Sequence, residues 1–172
     1  HEALQDAVAP LEGRGDGQRG EARGPQPQRD HGGDERLARD PRVISKESVN
    51  FRYAPADLLH EEVSVAVVDV SFISLRHILP ALTRFLAPGA RVIPLVKPQF
   101  EVGKGKVGRG GVVRDEAMRR EAVRGVAAFA EGLGFEAAGE AESRVAGPKG
   151  NREVFLLLSW KGSGKGSLTS KV

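Results

Sequence analysis

The chain has 172 residues, no cysteine, 28% charged residues and a formal net charge of +3, which is the size of one domain. The lack of cysteine excludes disulfides, cysteine–zinc sites and thiol catalysis, and 4 scattered histidines offer no metal-ligand spacing. No apolar run approaches the roughly 20 residues that span a bilayer, and no charged-then-apolar leader is visible, so a soluble cytoplasmic protein is expected.

The average charge joins two unlike parts. Residues 1–40 carry 6 Arg and 9 acidic residues, a net of −3, while residues 41–172 carry the other 20 basic and 14 acidic residues, a net of +6. From Glu12 to Arg36 the single apolar side chain is Ala22. Such a stretch buries too little to offset about 1–2 kcal/mol of backbone entropy per ordered residue, so residues 1–36 read as disordered. Within them, Gly15-Asp-Gly17-Gln-Arg-Gly20 matches the pattern G-x-G-x-x-G. It lacks the buried strand before and the helix after that a dinucleotide cradle requires, and it is rejected as a cofactor loop. Residues 161–172 read as a flexible Gly/Ser tail. The foldable part is therefore 37–160.

Arg42-Val-Ile-Ser45 predicts a short strand. Val63 to Val70 is a nearly continuous apolar run, which predicts a strand buried on both faces. Ser74 then precedes Leu75, Ile78, Leu79, Leu82, Phe85 and Leu86 at helical spacing, with Ser74 as N-cap. Pro80 should disturb one turn and Pro88-Gly89 should stop the helix. Arg91 to Lys97 predicts a second buried strand, with Pro94 unusual for a central position. Residues 98–114 read as a Gly-rich loop. Asp115 caps a helix running to about Leu133 with the face Met118, Ala122, Val126, Phe129 and Leu133, ended by Gly132 or Gly134. Phe135–Val145 reads as a weak strand and Glu153–Trp160 as a strong one, joined as an edge hairpin. The alternation predicts an α/β fold with a largely parallel sheet.

In an open parallel sheet, ligands bind at the carboxyl ends of the strands. Asp69 and Lys97 each end an apolar strand, so they should meet at one sheet edge and can pair there. This is either a functional pair or an ordinary strand-end salt bridge. Lys104, Lys106 and Arg109 lie in the glycine loop, with Arg114 just after it, where they suit phosphates of a polyanion or form a solvated loop. Lys149, Asn151, Arg152 and Glu153 open the last strand as a charged cluster or a plain hairpin turn.

Four blocks carry a resemblance: Asp69-Val-Ser-Phe-Ile-Ser-Leu75, Leu95-Val-Lys-Pro-Gln-Phe-Glu101, Gly110-Gly-Val-Val-Arg-Asp115 and Gly147-Pro-Lys-Gly-Asn-Arg-Glu153. In order and spacing they resemble the TlyA (hemolysin A) family of FtsJ-like RNA 2′-O-methyltransferases, across Leu37 to Trp160. The resemblance implies a Rossmann-like S-adenosylmethionine-dependent methyltransferase domain, incomplete at its N-terminal side, with residues 1–36 a non-family segment. It implies 2′-O-methylation of ribosomal RNA, with ribosomal RNA or a ribosomal subunit as partner and no membrane or metal. Of the family's Lys–Asp–Lys–Glu catalytic set, it places the aspartate on Asp69, the second lysine on Lys97 and the glutamate on Glu153. The first lysine has no counterpart here. Asn50 and Asp69 fall at cofactor-binding positions, and Lys104, Lys106, Arg109, Arg114, Lys149 and Arg152 at positions that suit RNA. The lysine would take or hold the proton of the ribose hydroxyl, a weak acid and so a poor nucleophile. The family's aspartate–glycine cofactor loop is absent, which predicts weak cofactor binding and marginal stability. Two other readings follow from that absence: an RNA-binding remnant without catalysis, and an inactive fragment prone to edge pairing.

Overall fold

Apolar runs set the central strands and capping residues set the start of the two longer helices. The computed structural model describes residues 37–162 apart from 38, 104, 106 and 109. The expectations for residues 1–36 and for the tail from residue 163 lie outside the described residues. Four strands form one sheet: β1 (Val63–Val68), β2 (Leu86–Val96), β3 (Phe135–Glu142) and β4 (Val154–Trp160), in the order β1-β2-β4-β3. α1 (Leu75–Leu82) links β1 to β2, a single turn α2 (Pro98–Glu101) follows β2, and α3 (Glu116–Gly132) leads to β3.

Both expected caps are present. Ser74 Oγ accepts from Arg76 N and Asp115 Oδ1 accepts from Ala117 N, each satisfying a donor that the first helical turn leaves open. Two residues past Pro80, α1 gives way to a 3-10 turn at Thr83–Phe85. The helix thus ends before Pro88-Gly89 rather than at it, and the bond that Pro80 cannot donate is the one to Arg76 in the preceding turn. Those two residues instead belong to a bulge in β2: Val63 pairs with Leu86, and the next match is Val65 with Arg91. Gly89 sits in that bulge with a φ of 76°, the left-handed region that favours glycine. Gly134, with a φ of 102°, follows α3 in the same way.

Three expectations are corrected. Residues 42–45 form no strand. Residues 98–101 are helical rather than loop, because Pro98 at the first helical position pre-sets the backbone dihedral. The sheet is mixed, not largely parallel: β1 and β2 are parallel, but β4 runs antiparallel to both β2 and β3. The β3–β4 hairpin does lie at the sheet edge.

Burial on both faces of β1 is also corrected. Ala66, Val68, Val92, Val96, Leu156 and Leu158 share one core with Leu75, Ile78, Leu79 and Leu82 of α1 and Val123, Val126 and Ala130 of α3. The intervening residues Val65, Val67 and Leu157 are 38%, 39% and 37% exposed. Among the described residues, the core thus lies on one side of β1. Pro94 is fully buried within β2, whose pairs Val92–Leu158 and Leu95–Phe155 flank it. Leu79→Ala should therefore cost about 2–5 kcal/mol in urea unfolding, whereas Val65→Thr should stay within about 0.5 kcal/mol of the parent; equal costs would contradict the one-sided core.

Candidate active site at the ends of β1 and β2

Parallel strands deliver their carboxyl ends to the same edge, and Asp69 and Lys97 each stand one residue past their strand. Lys97 Nζ lies 2.6 Å from Asp69 Oδ1 and donates to Ser71 Oγ at 3.0 Å. The lysine side chain is 12% exposed and the aspartate 53%. An ammonium has three N–H donors. Asp69 and Ser71 take two of them, which leaves one for a ligand oxygen.

Glu153 reaches the same edge because β4 runs the other way and begins there. It is 5% exposed. Gln99 Nε2 donates to its Oε1 at 3.4 Å, while the amide oxygen of Gln99 is buried without a partner. Gln99, two residues past Lys97, is thus the side chain that contacts the glutamate. Gly147 keeps room for Glu153: a Cβ there would fall 2.7 Å from the glutamate Cδ.

Three supporting residues hold the site together; Glu101 and Phe72 have no role assigned from the sequence, and Asn151 is placed there only in the cluster before the last strand. Glu101 Oε2 accepts from Ser74 Oγ at 2.6 Å and its Oε1 accepts from Leu75 N at 2.8 Å. An anion at a helix N-terminus meets both open N–H groups and the helix dipole. This ties α2 to the start of α1 on either side of Lys97 and Asp69. Asn151, 3% exposed, accepts from Val113 N at 3.0 Å and donates to Gly111 O at 2.9 Å. It clamps the end of the glycine loop to the turn before β4. Phe72 has a φ of 63° and is 87% exposed, with its ring 5.2 Å from that of Phe100. A bulky residue in the left-handed region is strained. Only pair contacts across 26 or more residues could have shown Glu101 and Asn151 in these roles, whereas Phe72 was visible as an aromatic next to the aspartate.

The remaining candidates are dispersed. Asn50 is exposed at the N-cap of the 3-10 turn Phe51–Tyr53 and makes no capping bond with its side chain. Arg114 is exposed beside the α3 cap. Lys149 is exposed with a φ of 65°. Arg152 does not enter the lysine cluster: it pairs with Glu142, Nη2 to Oε2 at 2.6 Å, and lies 3.8 Å from Glu116. Arg120 holds the Glu116 carboxyl below the usual glutamate range through a side-chain hydrogen bond. Lys104, Lys106 and Arg109 lie outside the described residues. The loop they interrupt is anchored by Val102 and Val113, which are buried against Ala122.

The family model for FtsJ-like methyltransferases matches residues 22–160, and the chain belongs to that family. It is 47% identical over 122 residues to the "16S/23S rRNA (cytidine-2'-O)-methyltransferase TlyA" of Mycobacterium tuberculosis, covering 71% of this chain and 46% of that protein. It is 43% identical over 131 residues to the "Putative rRNA methyltransferase YqxC" of Bacillus subtilis, covering 76% of this chain and 47% of that protein. A solved structure, "Putative hemolysin from Streptococcus thermophilus", superposes with a TM-score of 0.71 at 42% identity, over 79% of this chain and 50% of that one. The chain thus spans about half the length of the curated relatives it matches. No helix among the described residues is long and apolar enough to cross a membrane.

Asn151→Ala removes both clamps and leaves Val113 N and Gly111 O without their partner, so it should cost about 1–3 kcal/mol. Urea unfolding measures this; a cost below about 0.5 kcal/mol would mean that water replaces the clamp.

Proposed function

We propose that this chain carries the acceptor side of an S-adenosylmethionine-dependent RNA ribose 2′-O-methylation site. The observation that carries the reading is Lys97, held by Asp69 and Ser71 with its third N–H open. That donor can hold a ribose 2′-oxygen and stabilise the negative charge that develops as its proton passes to water. Asp69, half exposed, fixes the lysine. Glu153 and Gln99 wall the site from the other side. The exposed ring of Phe72 offers a face on which an unstacked base can lie. Ribosomal RNA is the substrate class, as the names of the matched relatives indicate.

S-adenosylmethionine would supply an electrophilic methyl group. By resemblance, Asn50 and Asp69 would face it. A glycine turn from strand to helix usually gives the close backbone approach such a nucleoside cofactor needs. The turns that leave β1 and β2, Asp69–Ser74 and Lys97, contain no glycine. The described residues therefore do not build the donor pocket. That observation favours a second reading, RNA binding without methyl transfer, using Arg114, Lys149 and the loop lysines. Calorimetric titration of the 172-residue chain with S-adenosylmethionine separates the two: micromolar binding supports methylation, and no detectable binding supports the second reading.

Where transfer occurs, Lys97→Ala should lower incorporation of labelled methyl into ribosomal RNA by about 100-fold or more. The melting temperature should hold, because the partner it leaves is half exposed. Turnover within a few-fold of the parent would remove Lys97 from this role.

A further inference from the structure

A groove of about 500 Å3 separates the N-terminal half of α3 from the β3–β4 hairpin. Its cations are Arg119, Arg120 and Arg124 on the helix and Arg152 on the opposite wall. Glu116 alone serves three of them: it pairs with Arg119, with Arg120 at 3.2 Å and with Arg152 at 3.8 Å. Arg124 has no acidic partner among the described residues. Four guanidinia offer about 20 N–H donors, more than the groove's three carboxylates can accept. All four cations are arginine, whose planar fork matches phosphate oxygens two at a time.

The groove and the candidate active site share the segment that leads into β4. Arg152 and Glu153 are consecutive, and the first lines the groove while the second accepts from Gln99. Arg114 precedes the helix at the same end. We propose that this groove holds the sugar–phosphate backbone of the substrate RNA next to the target nucleotide, with Arg120 and Arg124 as phosphate contacts. Glu116 and Glu142 hold the guanidinium forks of the groove in place. The two contact arginines lie one helical turn apart, about 6 Å along the axis. This inference rests on the RNA reading above and extends it to a surface outside the lysine cluster.

The test is equilibrium binding of a labelled 20-nucleotide single-stranded RNA of mixed sequence to the 172-residue chain, at stepped salt concentrations. The double variant Arg120→Glu, Arg124→Glu should bind about tenfold more weakly at low salt. The slope of log affinity against log salt should fall by about 1.4, or about 0.7 per lost contact. Arg120 is 69% exposed, and Arg120→Gln with Arg124→Gln serves if the charge reversal unfolds the chain. Glu140→Gln, which removes a negative charge from the groove wall, should tighten binding. If the parent binds RNA and the arginine variants bind equally well with the same slope, the groove is not the phosphate track and the RNA reading stands. If the parent binds no RNA, the RNA reading falls and the groove proposal falls with it.

Discussion

The parallel pairing of β1 with β2 is the constraint on which the site depends. The register Val68–Pro94 brings two strand ends to one edge, and the next residues out include Asp69 and Lys97. Side chains alternate faces along a strand, so a slip of one residue would separate the aspartate from the lysine. β4 enters the same sheet in the opposite direction, with Val154 beside Val96. Its first residues therefore lie where the other two strands finish, and Glu153 joins the pair from 84 residues away in sequence. Strand direction brings three polar groups that are distant along the chain to one edge of the sheet.

The local features of the fold were legible from the residues. Ser74 and Asp115 announce helix starts because their side chains act within two or three positions. Gly134 and the apolar spacing of α3 do the same for that helix. The Asp69–Lys97 pair could be anticipated because each polar residue closes an apolar run. The number of covered faces on β1 could not, since Val63–Val70 reads alike whether helices pack on one side or on both. The direction of β4 was only half legible. Its hairpin with β3 followed from the short Gly-Pro turn, but its place beside β2 depends on long-range pairing. The contacts of Glu101 and Asn151 were not legible because each acts on backbone 26 to 40 residues away, and no periodicity encodes that.

The charges divide by task. At the strand ends one lysine is held closely by an acid and a hydroxyl, with little solvent around it, which suits fixed geometry. Along α3, arginines share too few carboxylates across an open groove, which suits a mobile polyanion. The family's cofactor chemistry would need a third arrangement, close-packed backbone donors at a glycine turn, and the turns at this edge do not supply it. On the proposed reading, the described residues thus supply groups for holding an acceptor rather than a donor.

Glu101 has a consequence for how the domain assembles. Its carboxylate is both the anchor of the turn after Lys97 and the acceptor for the first free amide of α1. An eight-residue helix with a proline inside has little stability alone, because nucleation is costly and propagation is brief. The contact that secures its first turn comes from a segment beyond the next strand. Helix, strand and lysine turn should therefore order and melt as one cooperative unit, with hydrogen exchange at the start of α1 tracking that of the β1–β2 ladder. A site built this way has no half-formed state in which the lysine is in place and the helix is not.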